Sequence, residues 1–200
     1  MIFVQDSFTD IDFTLLQNHT PDIGGTWSRI SGVGTMFIEG NQLDAGSFFC
    51  IYENSTIAQF DSIDITFRWV SFVGGPIGGA VGRLINVNNH YRCVYDTDRY
   101  ILQRVLNGVV TTLSDLVEAV PTLPALITFE LRTFGTNRLR LLVDNIEKLV
   151  SADETFTQPG KIGLVGSGNL LDDLVAVASP EVAVQLDFSP NRPQSRILAY

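Results

Sequence analysis

The 200-residue chain contains few cysteines, few basic groups and no long apolar run. Its 2 cysteines, Cys50 and Cys93, have no partner at CxxC or CxxH spacing, so we expect two buried thiols rather than a disulfide framework or a metal site. The 22 acidic residues outnumber the 13 basic ones, and the net charge of −9 argues against nucleic acid and anionic membranes as partners. Every apolar run is broken well short of the roughly 18 residues that a membrane-spanning helix needs, so we expect no such helix.

The N-terminus lacks the features of a secretory signal. The stretch from Met1 to Asp6 has neither a basic segment nor a long apolar core. We therefore expect a protein that is made in the host cytoplasm and reaches its site of function without a signal peptide.

Apolar and polar residues alternate along most of the chain, which is the pattern of β-strands. Asn107-Gly108 and Asp144-Asn145 fit tight hairpin turns, because Asn and Gly tolerate the positive φ angles of such turns. The sequence thus predicts a series of antiparallel strands. In the clearest of them, residues 61–72, one face carries Ile63, Ile65, Phe67 and Trp69.

Two segments depart from this alternation. Residues 114–120 have apolar side chains at helical spacing before Pro121, so we expect one helical turn there. The glycine-rich residues 74–82 lack the Lys followed by Ser or Thr that a phosphate-binding loop requires. We expect them to form a loop that leads into a strand.

Two stretches of the chain resemble the concanavalin A-like lectin/laminin G-like superfamily. Residues 6–28 are similar to its first strand and loop, and residues 81–92 are similar to its paired central strands, where G-x-x-x-R-x-x-x-x-N-x-Y recurs. Residues 141–145, 160–164 and 171–177 are similar to its closing hairpin and last strands. The resemblance implies an all-β, two-sheet antiparallel jelly-roll sandwich over residues 1–178. It implies little about function, because this fold hosts lectins, glycosidases and structural modules.

The two tryptophans fit the same architecture. Each sheet of a sandwich presents one apolar face to the other, and large aromatic side chains fill the space between them. We therefore expect Trp27 and Trp69 in the core, each with a hydrogen-bond partner for its indole N–H. A platform on which a sugar ring stacks is the alternative for either residue.

No pair of carboxylates has the spacing that glycoside hydrolysis needs. Glycosidases of this fold place two carboxylates at alternate positions of one strand, so that both point to the same face. Asp61 and Asp64 are three positions apart and Asp172 and Asp173 are adjacent, so each pair diverges. We therefore predict that the protein is not an enzyme and has no cofactor.

The only histidines, His19 and His90, have no nucleophile pattern nearby. We expect both in surface positions or bonded within loops, without a catalytic role.

Calcium is the metal that the acidic residues of this chain could bind. Carboxylates near the N-terminus would supply hard oxygen ligands if this segment folds back on the last strand. No EF-hand spacing is present, and we expect solvated loops and no bound metal. The candidate ligands are Asp6, Asp10, Asp12, Asp22 and Asp173.

A lectin-like face would be built from polar and aromatic side chains of the central strands. Arg and Asn offer fixed donors and acceptors to sugar hydroxyls, and Tyr stacks on the apolar side of a sugar ring. The same residue types also occupy strand edges in any β-sandwich. The glycan-binding candidates are Arg83, Asn88, Asn89, Tyr91 and Arg99.

The sandwich predicted for residues 1–178 leaves a C-terminal segment, residues 179–200. Residues 181–188 alternate and predict one more strand, and the rest predicts an extended arm with an apolar tip. We expect the arm to dock on its own domain or, by strand addition, on a neighbouring subunit. The arm residues are Pro190, Arg192, Pro193, Arg196, Ile197, Leu198 and Tyr200.

From these features we predict a non-catalytic virion structural protein, a bacteriophage capsid-decoration or tail-associated adhesive module. Its expected partners are further copies of itself in a symmetric homo-oligomer and other virion proteins. The grounds are the absence of a signal, the missing catalytic pair, the arm, and the frequency of similar modules among phage virion proteins. The alternative is a free carbohydrate-binding, lectin-like module that recognises cell-surface glycans.

Overall fold

The computed structural model describes residues 1–46, 49–133 and 138–179. The strand predicted for residues 181–188 and the arm from Pro190 to Tyr200 lie outside the described residues. No helix among the described residues is long and apolar enough to cross a membrane. The strands are β1 (Ile2–Asp6), β2 (Thr14–Leu15), β3 (Trp27–Gly32), β4 (Phe37–Glu39), β5 (Gln42–Asp44), β6 (Cys50–Ile57), β7 (Ser62–Asn86), β8 (Asn89–Asp96), β9 (Arg99–Leu106), β10 (Val109–Val117), β11 (Ala125–Leu131), β12 (Leu139–Val143), β13 (Ile146–Ser151) and β14 (Lys161–Ser179), with one 3-10 helix at Leu16–Asn18.

Two long strands hold the sandwich together. β7 and β14 pair antiparallel from Ser62 opposite Ser179 to Leu84 opposite Lys161, and each passes from one sheet into the other. Sheet I has the strand order β13-β12-β11-β7-β14-β1, and sheet II has the order β10-β9-β8-β7-β14-β6-β3. Three short strands continue the pairing from β14 in the order β5, β4 and β2. The two-sheet antiparallel sandwich predicted from the sequence is confirmed.

The core lies between the sheets and consists of the inward side of each alternating strand. Along β7, the alternation predicted for residues 61–72 is confirmed, because Ile63, Ile65, Phe67 and Trp69 are buried. Trp69 packs edge-on against Phe67 and Tyr95 and stacks on Tyr100, with ring centroids 5.8–6.3 Å apart. Both tryptophans are therefore core residues, as expected.

Cys50 and Cys93 are buried and unbridged, as predicted. Burial raises the pKa of Cys50 to about 11 and that of Cys93 to about 12, so both thiols stay protonated at neutral pH.

Asp6 organises the N-terminal end of the core. The indole N–H of Trp27 donates to Asp6 Oδ2 at 2.8 Å, and the Phe8 N–H donates to Asp6 Oδ1 at 2.8 Å. His19 Nε2 lies 2.8 Å from Asp6 Oδ1, and its Nδ1 lies 3.3 Å from Asp10. This buried carboxylate thus links the first strand, the following loop and β3.

Two segments differ from the sequence expectation. Residues 114–120 do not form a helical turn, because residues up to Val117 belong to β10, which pairs with β9 through a β-bulge. The bulge places Leu113 out of the regular alternation, and this produces the spacing that resembles a helix. Residues 74–82 lie within β7 rather than in a loop.

His19 is buried and bonded within a loop, as expected, whereas His90 is buried on a strand and lies neither on the surface nor in a loop. His19 is held by the two carboxylates described above. His90 lies on β8, where burial and then the positive charge of Arg92 lower its pKa from 6.5 to about 4. The fold therefore keeps His90 neutral at neutral pH.

Replacing Trp69 by Ala tests the aromatic core. We expect a loss of about 3–5 kcal/mol in the free energy of unfolding, because the cavity loses both apolar burial and ring contacts. Urea unfolding followed by circular dichroism measures this loss. Val150→Ala, at an exposed position of β13, is the control and changes stability by no more than about 0.5 kcal/mol. A small loss for Trp69→Ala would contradict the central role of this ring.

The stability of the protein should depend on pH through His90. Its folded pKa lies below the unfolded value, so its contribution is present above pH 6.5 and is lost as the pH falls through about 4. The shift corresponds to roughly 3 kcal/mol. Urea unfolding at pH 7 and at pH 4 measures the loss, which His90→Gln should reduce. An NMR titration of the wild-type His90 ring checks the same point, and a midpoint near 6.5 would contradict it.

Candidate functional site

Two of the sequence-predicted glycan-binding residues, Arg83 and Tyr91, are buried. Arg83 is 1% exposed, and its guanidinium donates to the carbonyls of Phe156 and Asp61. It thereby fastens the loops that close one end of the sandwich. A sugar would not reach this side chain, so the placement of Arg83 on a binding face is wrong.

Tyr91 points into the core from β8. Its hydroxyl donates to a carboxylate oxygen of Asp153 and accepts a hydrogen bond from the Phe156 N–H at 3.0 Å. Arg104 Nη1 lies 2.6 Å from the other oxygen of the same carboxylate. Burial and the bond to Asp153 raise the pKa of Tyr91 to about 12. This network anchors the loop after β13, and Tyr91 is not available to stack on a ligand.

The other three candidates lie at opposite ends of β8. Asn88 lies in the turn between β7 and β8, and Asn89 is the first residue of β8, where its side-chain amide donates to Asn86 Oδ1 at 3.0 Å. Arg99 starts β9 at the far end of the hairpin and pairs with Asp98 and Asp115. The structure therefore does not bring the five candidates together in one site.

The calcium candidates are engaged with protein donors. β1 does pair with β14, which places Asp6 opposite Leu174 and so close to Asp173 along the chain. Asp173 nevertheless pairs with Arg68 at 3.0 Å. Asp22 accepts hydrogen bonds from Ser7, Asp12 accepts one from the Gly40 N–H, and Asp6 and Asp10 share His19. Within the described ranges, no three metal-ligating side chains converge.

The outer face of sheet II, the face turned away from the core, carries a second apolar cluster. Its six buried members belong to neighbouring strands and are at most 8% exposed. The strand register places most of them in one row across the sheet, running Ile51–Val165–Gly79–Val94–Ile101. The adjacent row contains Val81 and runs Glu53–Gly163–Val81–Arg92–Gln103. The sixth member, Leu84, lies opposite Lys161. Polar ends thus flank an apolar centre.

Two side chains meet above this apolar centre. Phe49 directly precedes β6, and Arg92 lies on β8, three strand spacings or about 14 Å away across the sheet. Yet the Arg92 guanidinium carbon lies 5.9 Å from the centre of the Phe49 ring. Both side chains therefore extend inward over the middle strands. The middle strands carry Gly79 and Gly163 in these rows, and a Cβ at either position would collide with a backbone carbonyl of a neighbouring strand.

The polar groups around this pair are held in fixed positions. Arg92 Nε donates to Gln103 Oε1 at 2.7 Å, and Lys161 Nζ lies 2.8 Å from Glu53 Oε1. No carboxylate among the described residues lies within ion-pair distance of Arg92. Burial lowers the pKa of this guanidinium, which stays protonated at neutral pH. We define Phe49, Glu53, Arg92, Gln103 and Lys161 as the outer-face site.

Chemically, the outer-face site combines an aromatic ring with charged and amide groups. Phe49 is 36% exposed and offers an apolar surface. The Nη groups of Arg92 have no acceptor among the described residues, so they are available to donate hydrogen bonds to a ligand. Such a combination suits a ligand with an apolar face and polar substituents. No residue of this site has the geometry of a nucleophile activated by a base.

The residues of this site were not among the sequence-predicted candidates. One signal was present, because side chains of adjacent residues on a strand point to opposite faces. Once Tyr91 is assigned to the core, Arg92 must face outward, and Gln103 follows from the hairpin register. The contribution of Phe49, Glu53 and Lys161 depends on distant strand pairing and left no local signal.

Comparison with known proteins places the fold. Neither a protein-family model nor a curated protein matches the sequence. The carbohydrate-binding module CBM66 from Bacillus subtilis superposes with a TM-score of 0.59 at 16% identity, over 76% of this chain and 93% of that one. The metal-free carbohydrate recognition domain of Emp46p gives 0.59 at 9% identity, over 75% and 87%. A galectin-like protein of unknown function from Bacillus subtilis gives 0.59 at 10% identity, over 75% and 88%. The chain therefore has the concanavalin A-like fold of lectin-like domains.

Proposed function

We propose that this protein is a non-catalytic glycan-binding module whose ligand contacts the outer-face site. The observation that carries the proposal is the pairing of the exposed Phe49 ring with the Arg92 guanidinium above an apolar centre. Carbohydrate-binding domains among the structural neighbours support it, since they share the fold. The lectin-like alternative of the sequence analysis thereby becomes the main interpretation.

Each group of the site has a role in sugar recognition. The apolar side of a sugar ring packs against the Phe49 face, and this excludes water from the hydrogen bonds beside it. Arg92 donates to ring substituents, while Gln103 and Glu53 provide further polar contacts. The ion pair with Lys161 and the bond to Arg92 fix these side chains before a ligand arrives, which reduces the entropic cost of binding.

The charge of the site favours a sugar that carries a carboxylate. Glu53 and Lys161 neutralise each other, so the positive charge of Arg92 remains without a counterion among the described residues. Guanidinium and carboxylate form charge-assisted hydrogen bonds of matching geometry. We therefore assign uronic or sialic acid residues as the preferred ligand class.

The virion role, the virion localisation and the phage partners predicted from the sequence stay predictions. The fold accommodates them, because concanavalin A-like modules serve structural and adhesive purposes as well as sugar binding. No contact of the described residues favours that role over the glycan-binding one.

Binding to an array of neutral and carboxylated glycans tests the proposal. The wild-type protein should bind carboxylated glycans, and Arg92→Ala should weaken binding tenfold or more, since a hydrogen bond to a charged group contributes about 1.5–3 kcal/mol. Phe49→Ala should weaken binding to neutral and acidic sugars alike. Arg92→Lys should lie between wild type and Arg92→Ala, because it keeps the charge and loses the planar donor geometry.

Arg140→Ala is the matched control. Arg140 is also a strand arginine, but it lies on β12 of sheet I, where it pairs with Glu130 and Glu147 at 2.9 and 2.8 Å. Its loss should leave glycan binding unchanged. Absence of binding to every glycan would refute the function, and equal losses for Arg140→Ala and Arg92→Ala would refute the site.

A further inference from the structure

β10 forms an exposed edge of sheet II. It pairs with β9 on one side, and no strand of the described residues pairs with its other side. Among its nine residues, Asp115 is the one charged side chain. Four apolar side chains are exposed, namely Val109 (66%), Val110 (48%), Leu116 (38%) and Val117 (62%).

This edge lacks the usual protection against association. Proteins commonly place charged side chains, especially Lys, or Pro on edge strands, because unpaired backbone groups invite another strand. β13, which ends sheet I, follows that pattern with Glu147 and Lys148. β10 instead offers valines at both of its ends.

The hairpin between β9 and β10 fixes which backbone groups of β10 point outward. Asn107 and Gly108 form a two-residue turn with φ angles of 52° and 80°, so Leu106 and Val109 face each other as a hydrogen-bonded pair. The N–H and C=O groups of Val110 and Thr112 therefore point away from β9.

In the second half of the strand, the bulge changes which residues direct their backbone groups away from β9. Thr112 lies opposite Gln103, but Ser114 lies opposite Leu102, so Leu113 is the extra residue. Beyond it, Asp115 and Val117 direct their N–H and C=O groups outward. The outward groups of β10 thus belong to even-numbered positions before the bulge and to odd-numbered positions after it.

We propose that β10 pairs antiparallel with β10 of a second copy of this chain across a two-fold axis. For two residues that face each other, the sum of their numbers is constant along an antiparallel pair. An odd sum pairs an outward group before the bulge with one after it, and a sum of 227 pairs all four outward positions at once. Val110 then faces Val117 of the partner subunit, and Thr112 faces Asp115 of the partner subunit. Each pairing occurs twice because of the symmetry.

This register brings apolar side chains of the two copies together and places no like charges opposite each other. The four exposed apolar side chains of each copy come together at the two ends of the interface, where they lose contact with water. Asp115 faces a threonine rather than its own symmetry mate and keeps its contact with Arg99, where Nη1 and Oδ2 are 3.8 Å apart. No like charges therefore oppose each other.

The pairing joins the two copies of sheet II into one continuous sheet. The two-fold axis runs through that sheet, so both outer faces lie on the same side. The interface itself does not depend on what the outer-face site binds.

Solution mass measured by light scattering and sedimentation on the full-length protein tests the proposal. The wild type should have twice the chain mass of 22.0 kDa. A variant with both Val110→Lys and Val117→Lys places two like charges opposite each other at both ends. Its dissociation constant should rise at least 100-fold, with unchanged circular dichroism because both positions are exposed.

The charge-swapped variant with Val110→Lys and Val117→Glu is the matched control for the register. It carries the same number of new charges, but each Lys faces a Glu of the partner subunit, so it should remain dimeric. Ile146→Lys with Val150→Lys, at exposed positions of β13, should also remain dimeric. A variant with Ile197→Asp and Leu198→Asp tests whether the C-terminal arm contributes to dimer formation.

The outcomes are distinct. A monomeric wild type would overturn the proposal, as would a Val110→Lys, Val117→Lys variant that stays dimeric. Loss of the dimer in the charge-swapped variant would overturn the register and with it the interface. Dissociation caused by the arm substitutions and not by the β10 substitutions would assign assembly to the C-terminal arm instead.

Discussion

The antiparallel pairing of β7 with β14 is the constraint on which the rest of the structure depends. These two strands belong to both sheets, so their register sets the position of one sheet relative to the other. β11 and β1 attach to their sheet I halves, and β8 and β6 attach to their sheet II halves. The core between the sheets and the rows on the outer face both follow from this central pair.

Three buried side chains with polar groups connect separate segments of the described chain. Asp6 joins the first strand to Trp27, Arg83 joins a strand to the loop at Phe156, and Tyr91 joins β8 to Asp153. Each makes hydrogen bonds within the protein, because a buried polar group without them would be costly. Arg83 and Tyr91 therefore stabilise the architecture, although their side-chain types also suit sugar recognition.

The outer-face site depends on the opposite arrangement. Gly79 and Gly163 lie at the centre of sheet II, and the side chains of Phe49 and Arg92 meet from opposite sides of that centre. Arg92 keeps donors that the described residues do not use. A half-buried cation beside an exposed aromatic ring is the feature that separates this face from the outer face of sheet I, where Arg140 is paired with two glutamates.

The sequence by itself determined the fold class, the turns at Asn107-Gly108 and Asp144-Asn145, the buried unbridged cysteines and the core positions of both tryptophans. These are local properties, because alternation and turn chemistry are written in neighbouring residues. The same local rule misread residues 114–120, where a single bulge imitates helical spacing. Only the tertiary structure decided that Arg83 and Tyr91 are buried while Arg92 faces outward beside Phe49. The physical reason is that such contacts join β6 to β8 across β14 and β7, and the register between these strands comes from packing the whole sandwich.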